Sequence, residues 1–371
     1  MAERIFIMKF SLTKELETVL KTVISLNKRD FPISVKDGYM LAQTDRGNIK
    51  VALGENNSLL GDEEKVRGFT NNMLKYISSF PAGSNITVEP DDKNVIIKCG
   101  RCRSKFATPD PITVNLPELG EDKIEVEADE FVSALSAAST MCDTATGAKG
   151  LCRTIHISAT RDTMTLLSTE GIKLLRQEIP CDSNAEKLTV MLDAGAIQVV
   201  KSMFKGSDSI SLYPSERAVA ICNENKRFDV LQIDCSYPDE ALFRALVPEE
   251  KSDKFKVDPN AIVESIERYL SMKSATSLSE FSLCIRENTL LISGRDSTTS
   301  YEDEFDIVHE SEIEKEKTYY FSPEKLIAVL KSFSDEDEVI FCFGTYNRGL
   351  IVYSLDSKSA GCVIPMLKRN N

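Results

Sequence analysis

Three eighteen-residue segments of this chain align without a gap: MLKYISSFPAGSNITVEP (73–90), IQVVKSMFKGSDSISLYP (197–214) and LIAVLKSFSDEDEVIFCF (326–343). Each opens with apolar residues at helical spacing: Met73, Tyr76, Ile77 and Phe80, then Ile197, Val200 and Phe204, then Leu326, Val329, Leu330 and Phe333. Six residues after each phenylalanine an alternating strand begins, at Ile86, Ile210 and Val339. Lys201 breaks the column held by Ile77 and Leu330, which predicts a slightly rotated helix that buries Met203. Recurrence of this kind points to tandem copies of one supersecondary unit.

A second set of segments precedes these. FSLTKELETVLKTV (10–23), VEADEFVSALSAAS (126–139) and VDPNAIVESIERYL (257–270) each read as a short strand followed by a helix, anchored by Leu16/Leu20, Phe131/Leu135 and Ile262/Ile266. Asp258 as N-cap with Pro259 in the first turn, and Asp129 and Glu130 at the positive end of a helix dipole, fit helix starts. Strand pairs follow at 31–45, 153–171 and 281–294, with hairpin residues at their turns. ITVNLPELGED (112–122) and RALVPEEKSD (244–253) read as linkers. The expected fold class is α+β: three tandem copies of a two-helix, antiparallel-sheet domain, over 1–122, 123–250 and 251–371.

No nucleophile elbow, P-loop, zincin or dinucleotide fingerprint occurs, so a non-catalytic protein is expected. CGRCRSKF (99–106) has a zinc-like pair, but no second C-x-x-C accompanies it and the two histidines stand apart, so neither a metal nor a cofactor is expected. The ten scattered cysteines read as reduced thiols, and the lack of a long apolar run predicts a soluble, intracellular chain. Net charge is −13, yet the six predicted helices (12–28, 70–80, 128–141, 193–205, 259–273 and 323–332) hold ten Lys/Arg against eight Asp/Glu. Such helices could present a weakly basic face on an acidic body, suited to surrounding a polyanion loosely.

MKFSL at the start, FPAGSNITV with KCGRCRSKFATP, LSTEGIKLLR, SYPD and SAGCVIPML together resemble the bacterial sliding clamp, the DNA polymerase III beta subunit. The resemblance runs in order over essentially the whole chain. It implies a head-to-tail homodimeric ring with helices facing encircled double-stranded DNA, bound independently of sequence. Such a ring tethers the replicative polymerase, meets a clamp loader and other clamp-binding-motif proteins, and works in the cytoplasm on the nucleoid.

The resemblance also implies sites. The partner-peptide groove takes Leu151, Thr169, Gly171, Ile172, Lys173, Leu174, Pro238, Leu246, Val247, Val363, Ile364, Pro365 and Met366. Ile172-Lys173 stands where the family often has His-Arg, and the segment from Pro238 to Pro248 is longer than usual. DNA contact falls to Lys28, Arg29, Lys149, Lys201 and Lys205. The dimer contact sets Arg103, Ser104, Lys105 and Phe106 on an edge strand against a helix carrying Tyr269, Leu270 and Met272. A repeat-built scaffold, or a diverged clamp paralogue that binds partner peptides without encircling DNA, remains the alternative.

Overall fold

The structure is a computed structural model that describes residues 8–27, 31–36, 38–44, 46–53, 67–91, 94–107, 114, 116–143, 145, 148, 150–248, 252–273, 280–286, 288–309, 316–344 and 349–366. Along these residues one element order runs three times: strand, helix, four strands, helix, three strands, with a few short additions. The expected helices appear as Lys14–Leu26, Asn71–Ser78, Ala128–Thr140, Ile197–Phe204, Pro259–Met272 and Pro323–Leu330. No described helix is long and apolar enough to cross a membrane.

Local chemistry sets the helix ends. The Thr13 Oγ1 accepts the Leu16 N–H at 3.1 Å, the Thr70 hydroxyl caps Met73, and Asp258 accepts the N–H groups of Asn260 and Ala261 ahead of Pro259. Each satisfies a donor that has no partner inside its helix. Leu16, Leu20 and Val23 are buried from the first helix, and each such side chain contributes about 1.5–3 kcal/mol over exposure. Asn27 ends that helix, and its carbonyl accepts the Asn71 side-chain amide at 2.6 Å, which ties the first two helices together. In Ile197–Phe204 the broken column has its expected effect: Lys201 is exposed while Val200, Met203 and Phe204 are buried.

Contacts divide the chain into two compact units, Met1–Asp129 with Gln198–Gln232, and Glu130–Ile197 with Ile233–Asn371. In the first unit one sheet runs Met8–Ser11, Asn85–Asp91, Asn94–Cys99, Cys102–Ala107 in spatial order. The other runs Ile124–Glu127, Ser209–Pro214, Ala218–Cys222, Lys226–Leu231, Gly47–Ala52, Tyr39–Thr44, Ile33–Lys36, Arg67–Phe69. Its middle joint is antiparallel, from Lys226↔Val51 to Val230↔Gly47. Gly47 stands at that joint because a Cβ there would lie 2.0 Å from the Asp229 carbonyl oxygen.

The second unit repeats the joint. Lys173–Pro180 pairs antiparallel with Ser359–Val363, from Lys173↔Val363 to Gln177↔Ser359, inside a sheet that extends from Leu188–Asp193 to Val308–His309. A separate four-stranded sheet runs Ser300–Asp306, Thr289–Arg295, Glu280–Arg286, Lys317–Tyr320. An aromatic core of Phe255, Tyr269, Phe281, Phe321, Phe341 and Phe343 lies among these elements. Tyr269 is 0% exposed, with its ring 5.3 Å from that of Phe281. Of the three residues of this helix expected at an interface, Tyr269 therefore lies in the core, Leu270 is half-buried and Met272 is exposed.

Candidate partner-binding pocket

In the second unit, a pocket of about 320 Å³ opens beside the strand Lys173–Pro180. Its floor is Leu174 and Cys362, direct partners across the Lys173–Pro180 and Ser359–Val363 ladder. Thr169, Gly171, Ile172 and Ile364 form one side, and Ala241, Leu242, Arg244 and Ala245 form the other. Ile172 and Ile364 are each 43% exposed. The lining is therefore apolar with a few polar groups, the composition expected of a site for an apolar peptide side chain.

The rim is held by the turn at residues 169–173. The Thr169 Oγ1 donates to the Lys173 carbonyl at 2.7 Å and accepts the Gly171 N–H at 2.9 Å, while Gly171 takes φ +99°. A left-handed residue is needed there, and glycine supplies it without steric cost. The Ile364 N–H donates to the Ile172 carbonyl at 2.9 Å, which sets the two exposed isoleucines side by side. Lys173 faces the lining but is engaged: its ammonium donates to the Thr140 carbonyl at 2.5 Å and lies 3.9 Å from Glu170. Burial pushes its pKa down, opposed by Glu170.

The opposite wall is the helix Asp239–Ala245, a segment given no element in the sequence reading and overlapping the expected linker 244–253 only at its last two residues. Its signals were present: Pro238 at the N-cap, Asp239 and Glu240 in the first turn, and Leu242 and Leu246 four residues apart. Tyr237 secures its approach, donating to the Leu167 carbonyl at 3.1 Å and stacking on His156 at 5.0 Å. The Tyr353 hydroxyl donates to the Leu246 carbonyl at the far end. Leu246 and Leu151 pack beneath the pocket, and Val363 is fully buried in the neighbouring core, so these three support the site and do not line it. Pro238, Val247, Pro365 and Met366 lie outside the lining; Val247 borders an adjoining depression with Asp239, Phe243 and Arg244. Sequence reading missed Ala241, Leu242, Arg244, Ala245 and Cys362.

Two other strands stand out. Cys102–Ala107 and Ser300–Asp306 each end a four-stranded sheet. CRSKFA sets Arg103 and Lys105 outward with Ser104 and Phe106 half-buried, the Phe106 ring 5.4 Å from Tyr76. SYEDEFD sets Glu302, Glu304 and Asp306 outward with Tyr301 and Phe305 half-buried. Lys201 and Lys205 are exposed, whereas Lys28, Arg29 and Lys149 lie outside the described residues. Among the described residues no group of three or more His, Cys, Asp or Glu could hold a metal ion.

A threefold element order, paired helices, long antiparallel sheets and an apolar pocket beside a strand-to-strand joint define a protein with the beta sliding clamp fold. The Pseudomonas aeruginosa DNA polymerase III beta subunit superposes with a TM-score of 0.84 at 15% identity, over 98% of this chain and 100% of that one. The Thermotoga maritima beta subunit gives 0.82 at 17%, over 98% and 100%. The Helicobacter pylori beta clamp bound to a DNA ligase peptide gives 0.78 at 18%, over 98% and 99%. No family model and no curated protein matches the sequence.

Proposed function

We propose that this chain is a DNA sliding clamp: two copies close head to tail into a ring of three-domain subunits that encircles duplex DNA and tethers the replicative polymerase. The observation that carries the reading is the pair of oppositely charged sheet edges. Within each unit, the last strand of a three-strand group pairs with the third strand of a four-strand group, Lys226–Leu231 with Gly47–Ala52 and Ser359–Val363 with Lys173–Pro180. The strands of the same rank left over are Cys102–Ala107 and Ser300–Asp306. A joint between them in two copies would repeat the internal one, set Arg103 and Lys105 beside Glu302 and Glu304, and bring Phe106 toward Tyr301 and Phe305. Such heterologous contacts close into rings and remove exposed edges. This assigns the acceptor role to the acidic strand in place of the helix Pro259–Met272, with Leu270 and Met272 left at its margin.

The pocket is the docking point for a short partner peptide bearing a glutamine and two or three bulky apolar residues. The likeness to a clamp bound to a DNA ligase peptide supports this. The replicative polymerase, the clamp loader and other clamp-binding-motif proteins would share it in the cytoplasm, and Lys28, Arg29, Lys149, Lys201 and Lys205 would face DNA without catalysis. Protein loaded on nicked circular DNA tests the ring. Retention in salt that strips ordinary electrostatic binders, with release on linearisation, is expected; equal loss from both forms sinks encirclement.

A further inference from the structure

Among the described residues, Cys99 and Cys102 are the pair of cysteines that stand directly opposite each other in a strand ladder. They close the hairpin between Asn94–Cys99 and Cys102–Ala107, whose turn is Gly100 and Arg101. Gly100 takes φ +55° with nothing within 4 Å of where a Cβ would stand, so the tight turn forms without strain. Residues opposed in an antiparallel ladder have Cα atoms about 4.5–5.5 Å apart, inside the span of about 4.4–6.8 Å that a disulfide bridges. Cys102 is exposed and Cys99 half-buried, whereas Cys142, Cys222, Cys284, Cys342 and Cys362 are buried. A small disulfide in solution can therefore reach one thiol of this pair and find the second already beside it.

We propose that Cys99 and Cys102 form a reversible dithiol site for exchange with a low-molecular-weight disulfide of the glutathione type. The Cys102 thiolate attacks one sulfur of glutathione disulfide, whose S–S bond breaks, and the departing glutathione takes up a proton. The Cys99 thiolate then attacks the Cys102 sulfur of the mixed disulfide and displaces the second glutathione, again with uptake of a proton. The protein gives up two electrons and two protons, and one glutathione disulfide becomes two glutathiones. The ladder register already opposes the two sulfurs' carbons, so no strand has to slip. The product staples the hairpin whose outer strand carries Arg103, Lys105 and Phe106. The two cysteines lie opposed within one chain, so their register does not depend on whether copies form a ring.

The test incubates the full chain with excess glutathione disulfide, alkylates the remaining thiols and maps the peptides by mass. In the wild type the peptide that holds residues 99 and 102 should come out about 2 Da below its reduced, unalkylated mass, with the two linked and the link reversed by dithiothreitol. Cys99→Ser, a near-isosteric change at a half-buried hairpin end, should instead hold one glutathione on Cys102. Wild-type protein that keeps glutathione on Cys102 while Cys99 alkylates would overturn the proposal. So would alkylation of both cysteines under conditions that modify the Cys99→Ser chain, or no reaction in either protein.

Discussion

Lys325 reaches Glu170 at 2.5 Å, an ion pair between residues 155 positions apart in the chain. Glu170 belongs to the turn that rims the pocket, and Lys325 to the helix Pro323–Leu330. Both side chains are mostly shielded, at 30% and 17% exposure, so the contact is screened less than an open surface pair.

A double-mutant cycle with Glu170→Gln and Lys325→Met should give a coupling of about 1 kcal/mol in urea unfolding. The Glu170 change should also weaken binding of the glutamine-bearing peptide by loosening the turn. Coupling indistinguishable from zero would mean that this ion pair does not help to hold the rim.

Gly294→Ala tests how closely the core is fitted. A Cβ at Gly294 would fall 2.3 Å from Tyr269 Cε2 and 2.4 Å from its Cδ2, and the ring is locked in the core. Overpacking of this kind costs about 1–3 kcal/mol. Unfolding midpoints should drop accordingly, and the additional loss from Gly294→Ala should shrink in a Tyr269→Leu background. An unchanged midpoint would show that the ring can move aside.

Acid should loosen the approach to the pocket helix. Burial holds the His156 pKa below its usual 6.5; Asp239 opposes that shift and Lys187 adds to it. The unfolded chain therefore takes up this proton first, and stability falls as pH drops from 6.5 through the lower folded value. His156→Phe, which keeps a ring against Tyr237, should flatten that part of the profile in denaturation measured from pH 8 to pH 5, on the order of the range where histidine titrates. Identical profiles for the two proteins would exclude His156 as the source.

Charge reversal should make self-association selective. A chain with Arg103→Glu and Lys105→Glu, and another with Glu302→Lys and Glu304→Lys, should each sediment as monomer, because each meets like charges in a head-to-tail contact. Mixed, they should associate, since one joint is doubly reversed and the other is wild type. Added salt should weaken the wild-type contact as well. Failure of the mixture to recover, with both chains folded, would place the contact elsewhere.

Local periodicity was sufficient for the elements. Apolar spacing located five of the six main helices within two residues at each end, in keeping with how assignments differ at helix ends, while the one expected from 193 starts at Ile197 after a short 3-10 turn at Ala194–Ala196; Lys201 foretold which side of that helix turns inward. Pocket residues in the LSTEGIKLL stretch were also legible, because one turn and one strand carry Thr169, Gly171, Ile172 and Leu174 together. The helix Asp239–Ala245 was passed over although Asp239 and Glu240 stand in its first turn, since a short amphipathic stretch has little to distinguish it until something packs against it.

Three matters belonged to tertiary structure alone. Tyr269 has the same helical spacing whether it meets a partner or a core, and only the arrival of Phe281 and Gly294 around it decided for the core. Cys362 became pocket floor through its register with Leu174, a pairing across 188 residues that no local pattern encodes. Likewise, which group of strands joins which was settled at the joints Lys226↔Val51 and Lys173↔Val363. Side-chain periodicity is written residue by residue along the chain, so it can be read from sequence. The choice of a strand's neighbour depends on loop closure and on burial shared among distant segments, so it exists only once the chain has folded.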